Sequence, residues 1–528
     1  MHPVYIIGAG LAGLSAALTL AEQGRPSVLV SLQPSERAQS VLAEGGINAA
    51  LDTMGEGDTV EDHYNDTLRG GVWLADPNAV AALTAGAPEM VRRLAAMGVP
   101  FNREDGHIVQ RNFGGQKHKR TAYARSSTGK ILMNAVIDAV RRHEAAGLVT
   151  RLPHHECLRL LTEGRRCIGV RIRDSYTGAM TDGFGRVILC TGGLCGLFPG
   201  HTTGTTQNTG DVTAMAFSLG AALAGLEMLQ YHPTTVGIAG KRCLVTEAAR
   251  GEGGRLCIRR DGALWYFMEE KYPELKNLMP RDVVAREMYF VRRDLGGSVL
   301  LDMTSLPEAT WENKLSDLRE ELMHYLSLDP KKDLIPVEEG IHYFMGGIDT
   351  DIGHRTSLPG LYAAGECACQ YHGANRLGGN SLLGALFGGQ TAAQSVMADV
   401  HDDDDDVPAP RPFTGEEPLA APVSAAFADA VCEILLGGMG IVRSEAGLTA
   451  ALDALSALTP GNARERCRLR LAEAMLTAAR ARRESRGAHY REDWPQTDES
   501  FRKTAVAEMQ GDAVTITFRP LPERRETS

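Results

Sequence analysis

Near the N-terminus stands Val4-Tyr5-Ile6-Ile7-Gly8-Ala9-Gly10-Leu11-Ala12-Gly13, an apolar run that leads directly into a GxGxxG turn. A helix of small residues extends from this turn to Gln23, and a second apolar run, Ser27-Val28-Leu29-Val30, follows it. The pattern predicts a strand, a helix and a parallel strand. Gly8 permits the turn, Gly10 lets the backbone approach a pyrophosphate, and Gly13 lets the helix pack closely on the strand. The segment therefore predicts a dinucleotide-binding unit.

Two later segments repeat the step from an apolar strand into a glycine turn. Residues 186–193 read Arg-Val-Ile-Leu-Cys-Thr-Gly-Gly, and residues 360–366 read Gly-Leu-Tyr-Ala-Ala-Gly-Glu. Their wide spacing predicts one nucleotide-binding domain that is interrupted by a long insertion. Ser31 stands where an acidic residue normally binds the ribose of NAD, so the sequence does not favour NAD at this unit.

The chain changes character after residue 400. The acidic run from Asp402 to Asp406 and the prolines Pro408, Pro410 and Pro412 predict a solvated linker. Residues 415–485 show helical periodicity with abundant Ala, Leu, Glu and Arg, which predicts a helical bundle.

Composition excludes several classes of protein. The 528 residues carry a net charge of −11, which argues against a nucleic-acid partner because phosphate contacts need a basic surface. The ten cysteines contain no CxxC pair, so we expect reduced thiols in a cytoplasmic protein and neither an iron–sulfur cluster nor a metal site in this chain. No apolar stretch reaches the roughly 20 residues that a membrane span needs, so any membrane association would come through a partner.

Short polar motifs flanked by glycine concentrate between residues 228 and 381. They contribute two histidines, one threonine and three arginines: His232, Thr246, Arg250, Arg281, His342 and Arg376. Each motif alone fits a turn or a solvated helix end. Together they predict a pocket for a small dianion, because arginine offers a forked donor to carboxylate while histidine and threonine orient it.

The motifs also support a resemblance that covers nearly the whole chain. In order they are GAGLAG at 8–13, AEGG at 43–46, FGG at 113–115, HPT at 232–234, TEAARGEGG at 246–254, PRD at 280–282, HYFMGGI at 342–348, AGE at 364–366, HGANRLGGNSL at 372–382 and ESRGAHYRED at 484–493. With these motifs the chain resembles the flavoprotein subunit of the fumarate reductase and succinate dehydrogenase family, to which L-aspartate oxidase is also related.

The resemblance implies an α/β fold. A Rossmann-like FAD-binding domain would comprise residues 1–230 and 345–410, the latter with the acidic linker. A mobile α+β capping domain would be inserted at 231–344, and a C-terminal helical domain with a tail would comprise 411–528. The insertion would open to admit substrate and close to exclude water.

The resemblance also implies roles for individual residues. Arg281 would be the catalytic acid, supplied with protons through Glu247 and Arg250. A C4 dicarboxylate would be held by His232, Thr246, His342 and Arg376, with Phe113 as an apolar wall. FAD would be bound by Gly8, Gly10, Gly13, Ser31, Gln39, Ser40, Gly45, Gly46, Asp211, Glu366, Arg376, Ser381 and Leu382.

Two departures from the family pattern bear on the activity. Ala38-Gln39-Ser40 stands where respiratory members carry Ser-His-Thr, whose histidine is joined covalently to the flavin. Gln39 cannot form that bond, so we expect noncovalent FAD, a lower flavin potential and a preference for fumarate reduction. Glu44, where dehydrogenase members commonly have glutamine, favours the same direction.

Three alternatives to a fumarate reductase remain. L-aspartate oxidase also binds FAD noncovalently, but Phe113 stands where that enzyme has a glutamate for the substrate ammonium. A reductase of another unsaturated dicarboxylic acid could keep the same anchors. A noncatalytic electron-transfer or scaffold subunit would be expected to lose buried polar residues that this chain retains. Respiratory relatives bind an iron–sulfur subunit with a membrane anchor, so we expect such a partner, which could hold the chain at the cytoplasmic face of a membrane.

Overall fold

The computed structural model describes residues 2–125, 127–238, 240–399 and 408–525. A parallel five-stranded sheet has the order Leu361–Ala363, Val187–Leu189, Val4–Ile7, Ser27–Ser31 and Val149–Pro153. All three predicted strands that lead into glycine turns lie side by side in this sheet. Val4–Ile7 is buried along its whole length, as expected for a parallel strand covered on both faces.

The first helix, Leu11–Glu22, packs on the long helix Asn380–Ala398. A Cβ atom on Gly389 would lie 2.1 Å from the carbonyl oxygen of Ala12, so only glycine allows this approach. The other helices within the described ranges are Val60–Gly70, Pro77–Ala96, Thr128–Ala145, Asp211–Ser218, Glu247–Gly251, Phe267–Lys271, Arg281–Leu295, Glu308–Asn313, Ser316–Leu326, Ala425–Gly438, Glu445–Ser456 and Ala463–Ala481. None of the described helices is long and apolar enough to cross a membrane.

The segment between residues 229 and 344 forms its own six-stranded sheet. The strand order is Lys241–Leu244, Leu229–Ile238, Ile335–Phe344, Val299–Asp302, Arg255–Arg260 and Ala263–Trp265. The chain enters on Leu229–Ile238 and returns on Ile335–Phe344, which pair antiparallel with Leu229 opposite Phe344. These two strands carry His232 and His342, so the entry and the exit of the segment bring the two histidines together.

An antiparallel sheet covers one side of the nucleotide-binding sheet, in the order Arg411–Phe413, Met180–Phe184, Arg166–Asp174 and His155–Glu163. Its edge strand corrects part of the linker prediction, because Pro412 lies in a strand opposite Thr181. An edge strand tolerates proline, since one row of its N–H groups has no partner strand. The acidic run Asp402 to Asp406 lies outside the described residues.

The C-terminal region is helical over Ala425–Gly438, Glu445–Ser456 and Ala463–Ala481, as the periodicity predicts. The tail forms a hairpin that the sequence analysis did not predict. Its strands, Lys503–Gln510 and Ala513–Pro520, join a sheet with Leu223–Ala224, Gly347–Asp349 and Ala368–Cys369. Gly511, with φ +63°, and Asp512 make the two-residue turn.

Two small ribbons complete the described strands. Ile47–Asn48, Thr121–Ala122 and Gln110–Arg111 form one, and Arg103–Glu104 with His107–Ile108 forms the other. The first ribbon lies beneath the glycines at 45 and 46, because a Cβ atom on Gly46 would lie 2.5 Å from the carbonyl oxygen of Ala122.

Candidate active site

A cavity of about 1090 Å³ lies between the nucleotide-binding sheet and the inserted segment. Ligand sites usually measure roughly 300–1,000 Å³, so this cavity has room for a dinucleotide and a small substrate. The predicted residues that line it are Gly8, Gly10, Ser31, Gln39, Ser40, Gly45, Gly46, Phe113, Asp211, His232, Thr246, Glu247, Arg281, His342, Glu366, Arg376, Ser381 and Leu382. Gly13 and Arg250 lie behind its wall.

The N-terminal glycine turn has the geometry that a pyrophosphate site needs. Gly8 has φ +112°, and a Cβ atom there would lie 2.1 Å from the carbonyl oxygen of Cys190. A Cβ atom on Gly13 would lie 1.9 Å from the carbonyl oxygen of Gly8, so Gly13 acts through packing rather than contact with a ligand. The turn aims the N-terminus of the helix Leu11–Glu22 at the cavity, where it favours negative charge.

Phe113, Gln39 and Glu366 line the part of the cavity that the family resemblance assigns to the flavin and the substrate beside it. Phe113 is 2% exposed, and its ring lies 3.1 Å from the Cβ position of Gly45. Gln39 accepts a hydrogen bond from the Thr205 backbone N–H at 2.6 Å. Burial raises the pKa of Glu366 to about 7, and this carboxyl accepts from the backbone N–H of Phe344. These residues fit FAD in composition and in space.

Asp211 lines the cavity where the C-terminal domain meets it. Its Oδ1 accepts a hydrogen bond from Arg468 Nη2 at 2.7 Å, so this carboxylate already has a cationic partner. Asp211 therefore ties the cofactor region to the helix Ala463–Ala481 in addition to any contact with FAD.

Arg281 and Glu247 form a buried pair beside the cavity. Nε and Nη2 of Arg281 donate to one oxygen of Glu247 at 2.8 and 2.7 Å, and Gly114 N–H donates to the other oxygen at 3.0 Å. Burial raises the pKa of Glu247, but the charges of Arg281 and Arg250 outweigh it and the net shift is downward. Glu247 is thus an anion held against Arg281.

Arg250 is fully buried behind this pair. Its Nη2 lies 4.0 Å from Glu247, and its Nη1 donates to the carbonyl oxygen of Asn277 at 2.6 Å. Its Nε and Nη2 have no hydrogen-bond partner among the described residues. Arg250, Glu247 and Arg281 therefore form a continuous row of charged groups that reaches the cavity.

His232 and His342 approach each other at the base of the inserted segment, with ring centroids 5.0 Å apart. Burial, together with nearby arginine charges, lowers the pKa of both imidazoles well below the ordinary value. Both rings are neutral at neutral pH and can each donate one hydrogen bond. The Thr203 hydroxyl lies 2.7 Å from His342 Nδ1, while the buried Nε2 of His232 has no described partner.

Arg376 supplies the remaining positive charge. It is 3% exposed, and its Nε has no hydrogen-bond partner among the described residues. Burial, with the charge of Arg281 adding to it, lowers the pKa of Arg376 to about 9. Buried donors are nearly always paired in folded proteins, and the donors of Arg376 Nε and His232 Nε2 are available to a ligand in the cavity.

Gln230 is a site residue that the sequence analysis missed. Its side-chain oxygen accepts from Arg281 Nη1 at 3.2 Å, and its nitrogen donates to the carbonyl oxygen of Arg376 at 2.9 Å. It therefore links the two arginines on opposite walls of the cavity. Strand alternation could not have identified it, because a register irregularity between Gln230 and Tyr231 interrupts the alternation before His232.

Family comparisons agree with this geometry. Residues 4–382 match the model of an FAD binding domain, and residues 462–526 match that of the fumarate reductase flavoprotein C-terminal domain. The chain belongs to the succinate dehydrogenase and fumarate reductase flavoprotein family. It is an FAD-dependent oxidoreductase, and the predicted family, cofactor and fold class are confirmed.

Family members with different activities are similarly related to the chain. It is 36% identical to the succinate dehydrogenase flavoprotein subunit of Bacillus subtilis, over 96% of this chain and 93% of that protein. It is 37% identical to the L-aspartate oxidase of Caulobacter vibrioides, over 93% of each chain. A variant of E. coli quinol fumarate reductase FrdA superposes with a TM-score of 0.86 at 28% identity, covering 98% of this chain and 96% of that one. Overall sequence and structural similarity therefore does not determine which of the family's substrates this chain uses.

Glu44 gives this family member a predicted pH dependence. Burial and the charge of Glu321 raise the pKa of Glu44 to about 8, so it is neutral at pH 7 and anionic at pH 9. Since Glu44 and Thr246 line the same cavity, the new charge should repel a bound dicarboxylate and weaken its binding about tenfold between pH 7 and pH 9. Calorimetric titration with a dicarboxylate should show this loss.

The variant Glu44→Gln separates this effect from the titration of Arg376, which weakens binding in the same direction. We expect the variant to keep near-constant affinity up to about pH 8. An unchanged pH profile in Glu44→Gln would assign the loss to another group.

Proposed function

We propose that this chain interconverts fumarate and succinate and works mainly as a fumarate reductase. The observation that carries the proposal is one wall of the cavity, which brings together Arg281, Arg376, His232 and His342. The buried Arg376 Nε and His232 Nε2 have no hydrogen-bond partner among the described residues, and the apolar ring of Phe113 lies in the same wall. Such a wall fits a small substrate with two carboxylates and an uncharged middle.

Each residue has a defined task in the proposal. Arg376 and His342 bind one carboxylate, and His232 with Thr246 binds the other. Arg376 contributes a forked donor, and it is held over the ring of Tyr343 at 4.3 Å. Phe113 excludes water from the alkene carbons, which keeps the charges around them effective.

FAD, once bound and reduced, would supply the hydride for one alkene carbon. Arg281 donates a proton to the other carbon. Because Glu247 is an anion at rest, a proton then passes from Arg250 to Glu247 and from Glu247 to Arg281 through the hydrogen bonds at 2.7 and 2.8 Å, and solvent returns a proton to Arg250. The neutral imidazoles and the fixed arginines also stabilise the negative charge that develops on the substrate.

L-aspartate oxidation is the second candidate, supported by the 37% identity to an L-aspartate oxidase. Its substrate carries an ammonium group that needs a carboxylate partner. The acidic groups nearest the proposed substrate region do not offer one at pH 7, because Glu44 is neutral and Glu247 is already paired with Arg281. Phe113 offers only a ring face.

The proposed FAD linkage is noncovalent, because Gln39 has no nucleophilic ring nitrogen and its oxygen is bonded to the Thr205 backbone. Acid precipitation should therefore release the flavin into the supernatant in a molar ratio near one per chain. Fluorescent flavin that stays with the precipitated protein would contradict the proposal.

We infer that electrons arrive through an iron–sulfur protein partner, which could also bring the chain to a membrane. Among the described residues the cysteines do not gather into a cluster-binding group. One solved relative is described as quinol–fumarate reductase with menaquinol molecules, at a TM-score of 0.87 and 28% identity. Purification from the native host should retain an iron–sulfur protein; full activity of the isolated chain with a physiological donor would refute the partner.

Steady-state turnover tests the substrate. We expect rapid viologen-linked reduction of fumarate, slower dye-linked oxidation of succinate, and little peroxide from L-aspartate. Peroxide formation from L-aspartate with little fumarate reduction would instead assign the chain to L-aspartate oxidation. Turnover only with a larger unsaturated dicarboxylate would leave the roles of the carboxylate-binding residues unchanged and would show that fumarate is not the substrate.

A further inference from the structure

A tight turn in the C-terminal region contacts both arginine-bearing walls of the active site without lining the cavity. We define the brace as residues 486–490. Its turn is closed by two hydrogen bonds, from Arg486 N–H to His489 O at 2.8 Å and from His489 N–H to Arg486 O at 3.1 Å. The motif contributes to the family resemblance but contains none of the predicted site residues.

One side of the brace holds the loop that carries Arg376. The Ala488 N–H donates to the carbonyl oxygen of Ala374 at 2.9 Å. Gly487 has φ +55°, and a Cβ atom there would lie 2.6 Å from that same oxygen. Glycine is needed at this position, and the contact fixes the backbone two residues before Arg376.

The other side of the brace holds the helix that begins at Arg281. The Tyr490 ring lies edge-on to Phe290 with centroids 5.8 Å apart, and the Arg286 guanidinium lies 5.0 Å from its centroid. Asp282, Arg286 and Phe290 are spaced by four residues and so share one helix face. Asp282, Arg286, Gly487 and Tyr490 together line a space of only about 10 Å³, so the two elements are in close contact.

Buried ion pairs make the brace rigid. Glu484 accepts from Arg482 Nη1 and from Arg486 Nε, each at 2.9 Å, and the side chains of these residues are 0–1% exposed. Arg443 Nη1 lies 2.8 Å from His489 Nδ1. A buried network in which each member has partners resists displacement, because moving one member leaves a charge unpaired.

We propose that residues 486–490 position Arg281 against Arg376, with Tyr490 placing the proton donor and Gly487 placing the carboxylate anchor. The inference rests on the roles assigned to the two arginines under the proposed function. These arginines lie in segments far apart in the sequence, and a displacement of about 1 Å can cost about a hundredfold in rate. A rigid element that contacts both segments keeps their separation constant.

The test compares variants on the two sides of the brace in the holoenzyme. Tyr490→Ala should lower kcat about 10- to 100-fold with KM changed by less than about threefold, because the acid moves while the anchor stays. Tyr490→Phe should restore kcat, since it keeps the ring. Gly487→Ala should raise KM about tenfold or more with a smaller change in kcat.

Two further variants provide an independent test of the helix contact and a control outside the brace. Arg286→Ala removes the contact from the helix side and should reproduce the kcat loss even if Tyr490→Ala folds poorly. Trp494→Ala, at an exposed position outside the brace, should change neither parameter. FAD content and Tm are measured for every variant.

Kinetics are measured with whichever dicarboxylate the wild type turns over, and succinate affinity is measured by calorimetry in parallel. A wild-type enzyme that does not reduce fumarate would contradict the proposed function. The brace is tested separately, by comparing kcat, KM and succinate affinity of the variants with those of the wild type. Variants that leave kcat, KM and succinate affinity unchanged would overturn the brace. A fall in kcat and a rise in KM of equal size that accompany loss of FAD would also overturn it.

Discussion

Arg281→Lys is expected to lower kcat for fumarate reduction by about a thousandfold while FAD remains bound. Lysine keeps a positive charge but cannot reproduce the two hydrogen bonds that Nε and Nη2 donate together to one oxygen of Glu247. The link to Gln230 at 3.2 Å is lost as well. The proton donor is then displaced from both the alkene carbon and its supply of protons.

The matched control is Arg293→Lys, on the same helix, where the side chain is 48% exposed and pairs with Asp294. We expect unchanged turnover there. Fumarate affinity should change by less than about threefold in Arg281→Lys, because Arg376 and the imidazoles still bind the carboxylates. Retained turnover in Arg281→Lys would remove Arg281 from its assigned role as the acid.

Arg376→Gln is expected to weaken fumarate binding about a hundredfold, which corresponds to about 3 kcal/mol. Glutamine keeps a polar head but loses the charge and the forked donor that a carboxylate needs. Because Arg376 is 3% exposed and its Nε has no described partner, few other groups can take over its contact. Isothermal calorimetry of the oxidised holoenzyme measures the affinity directly.

Arg355→Gln is the control for this second variant, because Arg355 pairs with Asp399 rather than lining the cavity. It should bind fumarate as the wild type does. Fumarate affinity unchanged in Arg376→Gln would show that the dicarboxylate does not lie against this arginine.

The sequence predicted the parts of the fold that depend on local sterics. A Cβ atom on Gly8 or Gly13 would lie about 2 Å from a carbonyl oxygen, so both positions require glycine. The sequence shows this requirement as a GxGxxG pattern. The hairpin of Lys503–Gln510 and Ala513–Pro520 escaped prediction because its strands are only half buried and their alternation is weak. The Gly511-Asp512 turn was the stronger signal.

The candidate site was predictable for residues inside dense motifs and unpredictable for residues that act across the chain. Most of the predicted residues line one cavity, but Arg250 lies behind Glu247 because its charge is held by a carbonyl oxygen of the inserted segment. Gln230 and the Gly487 turn act through partners distant in sequence, Arg376 and Ala374. Such pairings depend on tertiary packing, which no short motif specifies. The roles of the individual residues stay predictions.

The most direct test of the central claim is a single turnover without oxygen. The holoenzyme is reduced with one equivalent of dithionite and mixed with fumarate, and flavin absorbance and succinate are followed together. We expect rapid reoxidation of the flavin with one succinate formed per chain, and reoxidation about a thousandfold slower in Arg281→Lys. Flavin that stays reduced in the presence of fumarate, while L-aspartate rapidly reduces the oxidised enzyme, would contradict the central claim.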